Sequence, residues 1–408
     1  MESEATRVVV TGVGAVSALG VGAERLRAGL AGACAAARIE EWDGLGRLPV
    51  ARVEGFEPER FLPPRVVRNN ERFSHLAVAA ADLALEEAAL DPAALDPWRV
   101  GVVGGTTVGG PGELIAGLER VQVSGPRRVG PHTIPRIIPN IAAGLIAEKH
   151  GFRGVNTTLT TASGAGLDAL GTAFLSLSEG EADVILAGAS ESSLEPLLLG
   201  PLLRTGELSR SGGRPFDARR DGVTAGEGAA WLVLESLAHA EARGARILAE
   251  VVGYGRALAT GPLLDGPTLA DGLARAIRAA LDEAGVGPEA VAAVVAHAAG
   301  SPRVDRAEAE ALHAVFGGAL PPVTAPAGAL GYTMAASGAL QAAVAVLSLA
   351  AGELPPTAGW QEADPSLELL PVHDGPHPLG TRPGRPLLLC TAIGLGGPCS
   401  ALLLAGWS

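Results

Sequence analysis

The fold is decided by residues 156–180, which read Asn-Thr-Thr-Leu-Thr-Thr-Ala-Ser-Gly-Ala-Gly-Leu-Asp-Ala-Leu-Gly-Thr-Ala-Phe-Leu-Ser-Leu-Ser-Glu-Gly. The threonine-rich run at 157–161 favours a strand, because branched side chains suit a pleated backbone. Apolar side chains then recur at helical spacing, at Leu167, Leu170, Phe174 and Leu177. The stretch therefore predicts a polar strand end that turns into a buried helix, with Ser163 at the turn.

Two interpretations of Ser163 are open at this point. A side chain at the start of a helix faces unpaired backbone N–H groups and the positive end of the helix dipole, which is where an enzyme of this architecture would hold an acyl nucleophile. Serine is also a preferred N-cap residue, and that role needs no chemistry. The local pattern alone favours the N-cap.

The composition indicates a globular protein that does not bind nucleic acid. The 408 residues are 48% hydrophobic, enough for a large core, and carry a net charge of −13. Nucleic acids and anionic membranes need a basic surface, so neither is expected as the main partner. There is no apolar run of about 18 residues, and the first seven residues do not show a basic region followed by an apolar one. We expect a cytoplasmic protein.

The sequence predicts neither a cofactor nor a metal site. Three glycines close the first apolar strand region, but Gly12, Gly14 and Gly20 do not have the spacing of a dinucleotide-binding loop. The cysteines have no metal-ligand or redox spacing and are interpreted as small core residues; they are Cys34, Cys390 and Cys399.

The second part of the chain repeats the first. The strand ending at 250–255 is similar to the glycine-closed strand at 7–14, and the strand at 291–297 is similar to the one at 99–105. The helical stretch 336–352 follows the pattern of 162–180. Strands alternate with helices in both parts, which predicts an α/β fold with helices against buried sheets. We place the two halves at 1–250 and 251–408.

Several motifs resemble the β-ketoacyl synthases of the thiolase superfamily. They are the opening Val8-Val-Val-Thr-Gly-Val-Gly14, Gly125-Pro-Arg-Arg-Val129, Ile134-Pro-Arg-Ile-Ile-Pro-Asn140, Ala182-Asp-Val-Ile-Leu-Ala-Gly188 and Arg214-Pro-Phe-Asp-Ala-Arg-Arg-Asp-Gly222. The resemblance runs nearly from end to end. It implies a thiolase fold, in which duplicated halves form a layered α-β-α-β-α architecture.

The positions that carry catalysis in that family are altered. The turn that reads Thr-Ala-Cys in the family is Thr-Ala-Ser here, so Ser163 replaces the nucleophilic cysteine. His297 keeps the first histidine, although the glycine and threonine that follow it are lost. Tyr332 replaces the second histidine and Ala327 the lysine, whereas Asp305 and Glu308 fit the acidic positions after the first histidine. The glycine-rich end motif is kept loosely, with Ile393 and Leu395 where phenylalanines are usual.

These changes weaken condensation. A serine hydroxyl needs an adjacent general base, and His297 is the retained candidate. Losing one oxyanion donor costs about 3 kcal/mol or more in the barrier, so losing the thiol and one imidazole together should nearly abolish condensation.

The resemblance therefore favours a chain-length-factor type of subunit, which pairs with an active ketosynthase in a type II polyketide synthase and shapes the tunnel where the chain grows. Two alternatives stay open. One is an acyltransferase or starter-unit priming enzyme that uses Ser163 as nucleophile and His297 as base. The other is a non-catalytic homodimeric acyl-binding protein.

Surfaces for two partners, the active ketosynthase and an acyl carrier protein, are also implied by the resemblance. The apolar segment 105–140 is expected to form a tunnel wall and dimer contact, with glycines leaving space at Gly109, Gly110, Gly112 and Gly117, and with Ile134 in the same segment. The candidate substrate-binding residues are Gly109, Gly112, Ile134, Ile393 and Leu395. Carrier proteins are typically acidic, so exposed arginines are candidates for docking them: Arg65, Arg68, Arg127 and Arg128.

Overall fold

The structure is a computed structural model that describes residues 6–33, 35–261, 265–380 and 384–407. The first half contains β1 (Val8–Ser17), β2 (Gly20–Val21), α1 (Ala23–Ala31), β3 (Arg38–Trp42), β4 (Gly46–Ala51), α2 (Pro64–Asn69), α3 (Arg72–Glu87), β5 (Val100–Gly105), α4 (Pro111–Ser124), α5 (Thr133–Ile137), α6 (Ile141–His150), β6 (Asn156–Leu159), α7 (Ala165–Ser178), β7 (Val184–Glu191), α8 (Pro196–Arg204), β8 (Ala225–Gly226), β9 (Gly228–Ser236) and α9 (Leu237–Ala242).

The second half contains β10 (Ala249–Leu258), α10 (Gly266–Glu283), β11 (Val291–Val295), α11 (Pro302–Phe316), β12 (Val323–Thr324), α12 (Ala327–Leu330), α13 (Ala336–Ala351), β13 (Glu353–Leu354), β14 (His377–Pro378), β15 (Leu387–Ile393) and β16 (Pro398–Gly406). The division after residue 250 falls just inside β10 and stays a prediction.

The main sheet displays the duplication. Its strand order is β12-β11-β15-β16-β10-β1-β9-β7-β5-β6, with β2 attached to β1. The central antiparallel pair is β1 and β10, and the strands on its two sides follow in the same order. Strand β9 corresponds to β16, β7 to β15, β5 to β11 and β6 to β12. The three similarities noted in the sequence fall on corresponding elements, so the predicted internal repeat is confirmed.

Helices separate and cover the two half-sheets. Helices α7 and α13 contact each other and strands from both halves, so they form the central layer. Helices α3 and α6 cover the outer face of the first half, and α10 and α11 cover the second. The resulting order is helix, sheet, helix, sheet, helix, as the resemblance implied.

Glycines in the two central strands allow the outer helices to approach closely. A Cβ atom at Gly12 would lie 2.1 Å from the Ala84 carbonyl oxygen on α3, and one at Gly253 would lie 2.1 Å from the Ala280 carbonyl oxygen on α10. Any side chain there would collide with helix backbone. The glycines of the first strand therefore serve helix packing.

The cysteines at 390 and 399 are buried core residues, as predicted; Cys34 lies outside the described residues. In the described part of the chain, no helix is long and apolar enough to cross a bilayer, and no group of three or more histidine, cysteine or acidic side chains is placed to hold a metal ion.

Candidate active site

Ser163 lies in a tight turn between β6 and α7. Residues 162–164 form one 3₁₀ turn, and Ala162 takes the left-handed conformation with φ 51°. Ser163 is 1% exposed, and its hydroxyl donates a hydrogen bond of 2.9 Å to the carbonyl oxygen of Ile393, the last residue of β15. The residue preceding α7 is Gly164, and no side chain caps the helix. The interpretation of Ser163 as an N-cap is therefore wrong.

Tyr332 completes the surroundings of this hydroxyl. Its phenol O–H donates to Ser163 Oγ at 3.0 Å. Two backbone hydrogen bonds hold Tyr332 against the glycine-rich charged loop that precedes β9: its N–H donates to the Thr224 carbonyl at 2.7 Å, and its carbonyl accepts from the Gly226 N–H at 2.9 Å. The Ser163 hydroxyl thus donates its one hydrogen bond to a backbone carbonyl and accepts one from a phenol, so its proton points toward Ile393 and not toward His297.

His297 lines the same site as a neutral imidazole. It follows β11, is 4% exposed, and its ring lies edge-on to Tyr332 with ring centroids 6.1 Å apart. Burial lowers the pKa of His297 to about 4. Its Nδ1 atom is buried without a hydrogen-bond partner among the described residues. The structure therefore brings Ser163, His297 and Tyr332 into one site, but the hydrogen bonds of the serine go to Ile393 and Tyr332.

Asp305 and Glu308 hold the backbone after β11. Glu308 accepts hydrogen bonds from the N–H groups of His297 (2.8 Å) and Ala298 (2.7 Å) and from the Thr391 hydroxyl. Asp305 accepts from the N–H groups of Ala299 and Gly300, at 3.1 and 3.2 Å. Burial raises the pKa of Glu308 to about 7 and that of Asp305 to about 6, although these hydrogen bonds act to lower both pKa values. Both carboxyl groups are occupied in shaping the His297 loop.

Asp168 is a residue of the site that sequence reasoning missed. It lies in the first turn of α7, is 5% exposed, and accepts hydrogen bonds from the hydroxyl groups of Thr161, Tyr254 and Ser400. These bonds tie the turn before Ser163 to β10 and β16. The signal was present in the sequence, because a carboxylate within an otherwise apolar helix must find partners when it is buried.

A cavity of about 560 Å³ opens onto these side chains. Its lining includes Thr107, Ser163, Leu202, Glu207, Leu258, His297, Tyr332, Met334, Ile393, Leu395 and Pro398. Ile393 and Leu395, two of the predicted substrate-binding residues, therefore line the cavity, and Leu395 is 55% exposed at its surface. This size fits a small ligand or the end of an acyl chain.

The other predicted substrate-binding residues, Gly109, Gly112 and Ile134, are not part of the cavity lining. The idea that the glycines leave space is wrong for Gly109 and Gly110. A Cβ atom at Gly109 would lie 2.3 Å from the Ile137 carbonyl oxygen, and one at Gly110 would lie 2.1 Å from that of Arg136. Two segments of backbone meet here, so these glycines permit a close contact within the chain.

Two sets of surface residues accompany the site. Helix α4 exposes Leu114 (46%), Leu118 (58%) and Val121 (38%), which recur at helical spacing on one side, and Ile134 is 65% exposed nearby in the chain. The arginines expected to meet a carrier protein are all exposed: Arg65, Arg68, Arg127 and Arg128.

Family models match most of the chain. The model of the beta-ketoacyl synthase N-terminal domain matches residues 5–240, and that of the C-terminal domain matches residues 248–361. A relative from Streptomyces halstedii that carries the name polyketide beta-ketoacyl synthase 1 is 36% identical over 421 residues, covering 98% of both chains. The 3-oxoacyl-[acyl-carrier-protein] synthase 2 of Vibrio cholerae is 32% identical, covering 97% of this chain and 98% of the relative.

Solved structures agree. A chain of the ishigamide ketosynthase/chain length factor superposes with a TM-score of 0.91 at 33% identity, over 99% of this chain and all of that one. A chain from a type II polyketide synthase acyl-carrier protein in complex with its ketosynthase gives the same TM-score at 27% identity, with the same coverage. The predicted thiolase fold is therefore confirmed, and the chain belongs to the beta-ketoacyl synthase family.

Proposed function

We propose that this chain is a non-condensing, chain-length-factor type of subunit that pairs with an active ketosynthase in a type II polyketide synthase and shapes its elongation tunnel. The observation that carries the proposal is the hydrogen bonding of Ser163. Its proton is directed to the Ile393 carbonyl at 2.9 Å, and its oxygen accepts from Tyr332 at 3.0 Å. A serine held in this way is not set up to attack a thioester.

The neighbouring groups support the same conclusion. A serine nucleophile needs a base that takes its proton in the transition state. His297 is neutral, but the Ser163 proton is not directed toward it. No cysteine in the described residues can substitute, because Cys390 and Cys399 are buried and burial raises the pKa of both thiols, that of Cys399 to about 12.

The exposed apolar side of α4 supports the proposal that a partner chain packs on this chain. Leu114, Leu118 and Val121 would be covered only if another protein packs on them, and large exposed apolar patches typically mark such interfaces. The solved relative described as a ketosynthase/chain length factor points to an active ketosynthase as that partner. In this proposal the segment 105–140, including Gly112 and Ile134, faces the partner and contributes to a tunnel between the two chains, while Gly109 packs within this chain.

An acyl carrier protein is the second partner that we propose. The relative solved with its acyl-carrier protein supports this assignment, as do the exposed arginines at 65, 68, 127 and 128, because a basic patch on a chain of net charge −13 can attract an acidic carrier. The rest of the docking surface would come from the ketosynthase partner.

Reconstitution tests the proposal. The purified chain is incubated with acyl and malonyl carrier proteins, alone and together with a cysteine-containing type II ketosynthase. We expect no condensation product from the chain alone and product from the pair. The matched variant is Ser163→Ala in the pair, which should still give product. Condensation by the chain alone, or an acyl ester on this chain that Ser163→Ala removes, would overturn the proposal, and the ester would favour the priming enzyme.

A further inference from the structure

The loop at the mouth of the cavity is formed largely by glycine. It follows β15 and reads Gly394-Leu395-Gly396-Gly397, and Gly396 and Gly397 both have φ of 95°. Leu395 in this loop is 55% exposed and lines the cavity together with Gly394 and Gly396. Glycine-rich backbone has many accessible conformations, so such a loop needs external contacts to stay in one place.

The loop closes the hairpin between β15 and β16, whose pairing places Ile393 opposite Cys399, and few other contacts hold it. Within it, the Gly394 N–H donates to the Pro398 carbonyl at 2.7 Å and the Gly397 N–H to the Gly394 carbonyl at 3.0 Å. The Gly397 carbonyl accepts from the Ala259 N–H at 2.8 Å. The hydrogen bond from the Ser163 hydroxyl reaches the residue immediately before the loop, Ile393.

The turn that carries Ser163 also touches the loop directly. A Cβ atom at Gly394 would lie 2.6 Å from the Thr161 carbonyl oxygen, so the loop and the turn are in backbone contact. Ser400, just beyond the loop, is bonded to Asp168 in the same helix, α7. The loop is therefore fixed to the start of α7 on both sides, by Ser163 before it and by Asp168 after it.

We propose that the Ser163 hydroxyl is a tether that keeps the Gly394–Gly397 loop in position over the mouth of the cavity. The hydroxyl at the former nucleophile position then has a positioning role, in which its donor proton is what matters. This role does not depend on the partner chain or on the carrier protein, so it stands or falls separately from the proposed function.

Hydrogen exchange measured by mass spectrometry on the fragment 391–398 tests the tether in the purified full chain. A buried hydrogen bond contributes about 1 kcal/mol net, which corresponds to roughly a fivefold change in an opening equilibrium. We expect Ser163→Ala to speed exchange of the loop amides about fivefold. Tyr332→Phe should change it less, because it leaves the bond from Ser163 to Ile393 in place.

The matched control is Ser178→Ala. The Ser178 hydroxyl donates to the Phe174 carbonyl at 2.8 Å at the opposite end of α7, so this variant removes the same kind of bond far from the loop. Loop exchange should be at the wild-type rate in this control. Unchanged loop exchange in Ser163→Ala, or an equal increase in both variants, would overturn the tether.

Discussion

Replacing Ser163 by cysteine places a thiol at the position of the family's nucleophile. The variant tests whether the surrounding groups lower the pKa of that thiol. A thiolate there would face the Ile393 carbonyl oxygen that accepts the serine proton at 2.9 Å, and this contact favours the protonated form. Burial acts in the same direction, since Ser163 is 1% exposed. The start of α7 and the Tyr332 hydroxyl act in the opposite direction, but His297 is neutral and contributes no positive charge.

We therefore expect the pKa of the new thiol to stay at or above the ordinary cysteine value of about 8.5. At pH 7 such a thiol is about 3% thiolate, whereas an activated cysteine with a pKa near 7 is about half ionised. The thiolate population, and with it the rate of alkylation, differs by about fifteenfold between these cases.

Alkylation by iodoacetamide, followed by intact-protein mass spectrometry across pH 6–10, measures this pKa directly. The wild-type chain supplies the background. Cys390 and Cys399 should be unreactive because burial raises the pKa of both thiols. The companion double variant, Ser163→Cys with Tyr332→His, restores an imidazole and should titrate at lower pH. An apparent pKa below about 7.5 in the single variant would refute the reasoning.

Three further predictions follow from individual contacts. Asp168→Ala removes the acceptor of two buried hydroxyl groups, on Tyr254 and Ser400, and of the partly buried one on Thr161. It should lower stability by about 3 kcal/mol, seen as a lower urea midpoint, with a smaller loss for Asp168→Asn, which keeps one acceptor oxygen. Burial acts to raise the pKa of Glu235, but hydrogen bonds from Arg243, Thr11 and His239 outweigh it and hold that pKa below the usual 4.5. Because the native state then binds fewer protons than the unfolded state, the melting temperature should fall as the pH drops below about 4.5. Glu235→Gln should flatten this pH dependence. Leu118→Glu should abolish association with the ketosynthase partner in size-exclusion chromatography without lowering the melting temperature of the chain alone, because Leu118 is 58% exposed.

Much of the fold could be predicted from the sequence because it depends on local patterns and their repetition. Apolar strands, helical spacing and the similarity of the two halves are visible within short windows, and the structure places them on corresponding elements around β1 and β10. The turn at Ser163 was predicted for the same reason. The roles of the opening glycines required the structure, because the helix backbone that they touch is about seventy residues away.

Some residues of the site could be predicted from the sequence, but their hydrogen bonds could not. The family resemblance aligned Ser163, His297 and Tyr332 with the catalytic positions. The Ser163 hydroxyl, however, donates its hydrogen bond to the backbone carbonyl of Ile393, 230 positions along the chain. Every residue has a backbone carbonyl, so the sequence does not show which one accepts this bond. A local cap was therefore the natural but wrong interpretation. At Gly109 the sequence cannot distinguish a glycine that leaves space from one that permits backbone contact.

The central claim is tested most directly by intact-protein mass spectrometry of this chain together with the cysteine-containing ketosynthase that we propose as its partner, after incubation with acyl and malonyl carrier proteins. The account predicts an acyl increment on the partner and none on this chain, in the wild type and in Ser163→Ala alike. A stable acyl increment on this chain that disappears in Ser163→Ala would make Ser163 a working nucleophile and contradict the account.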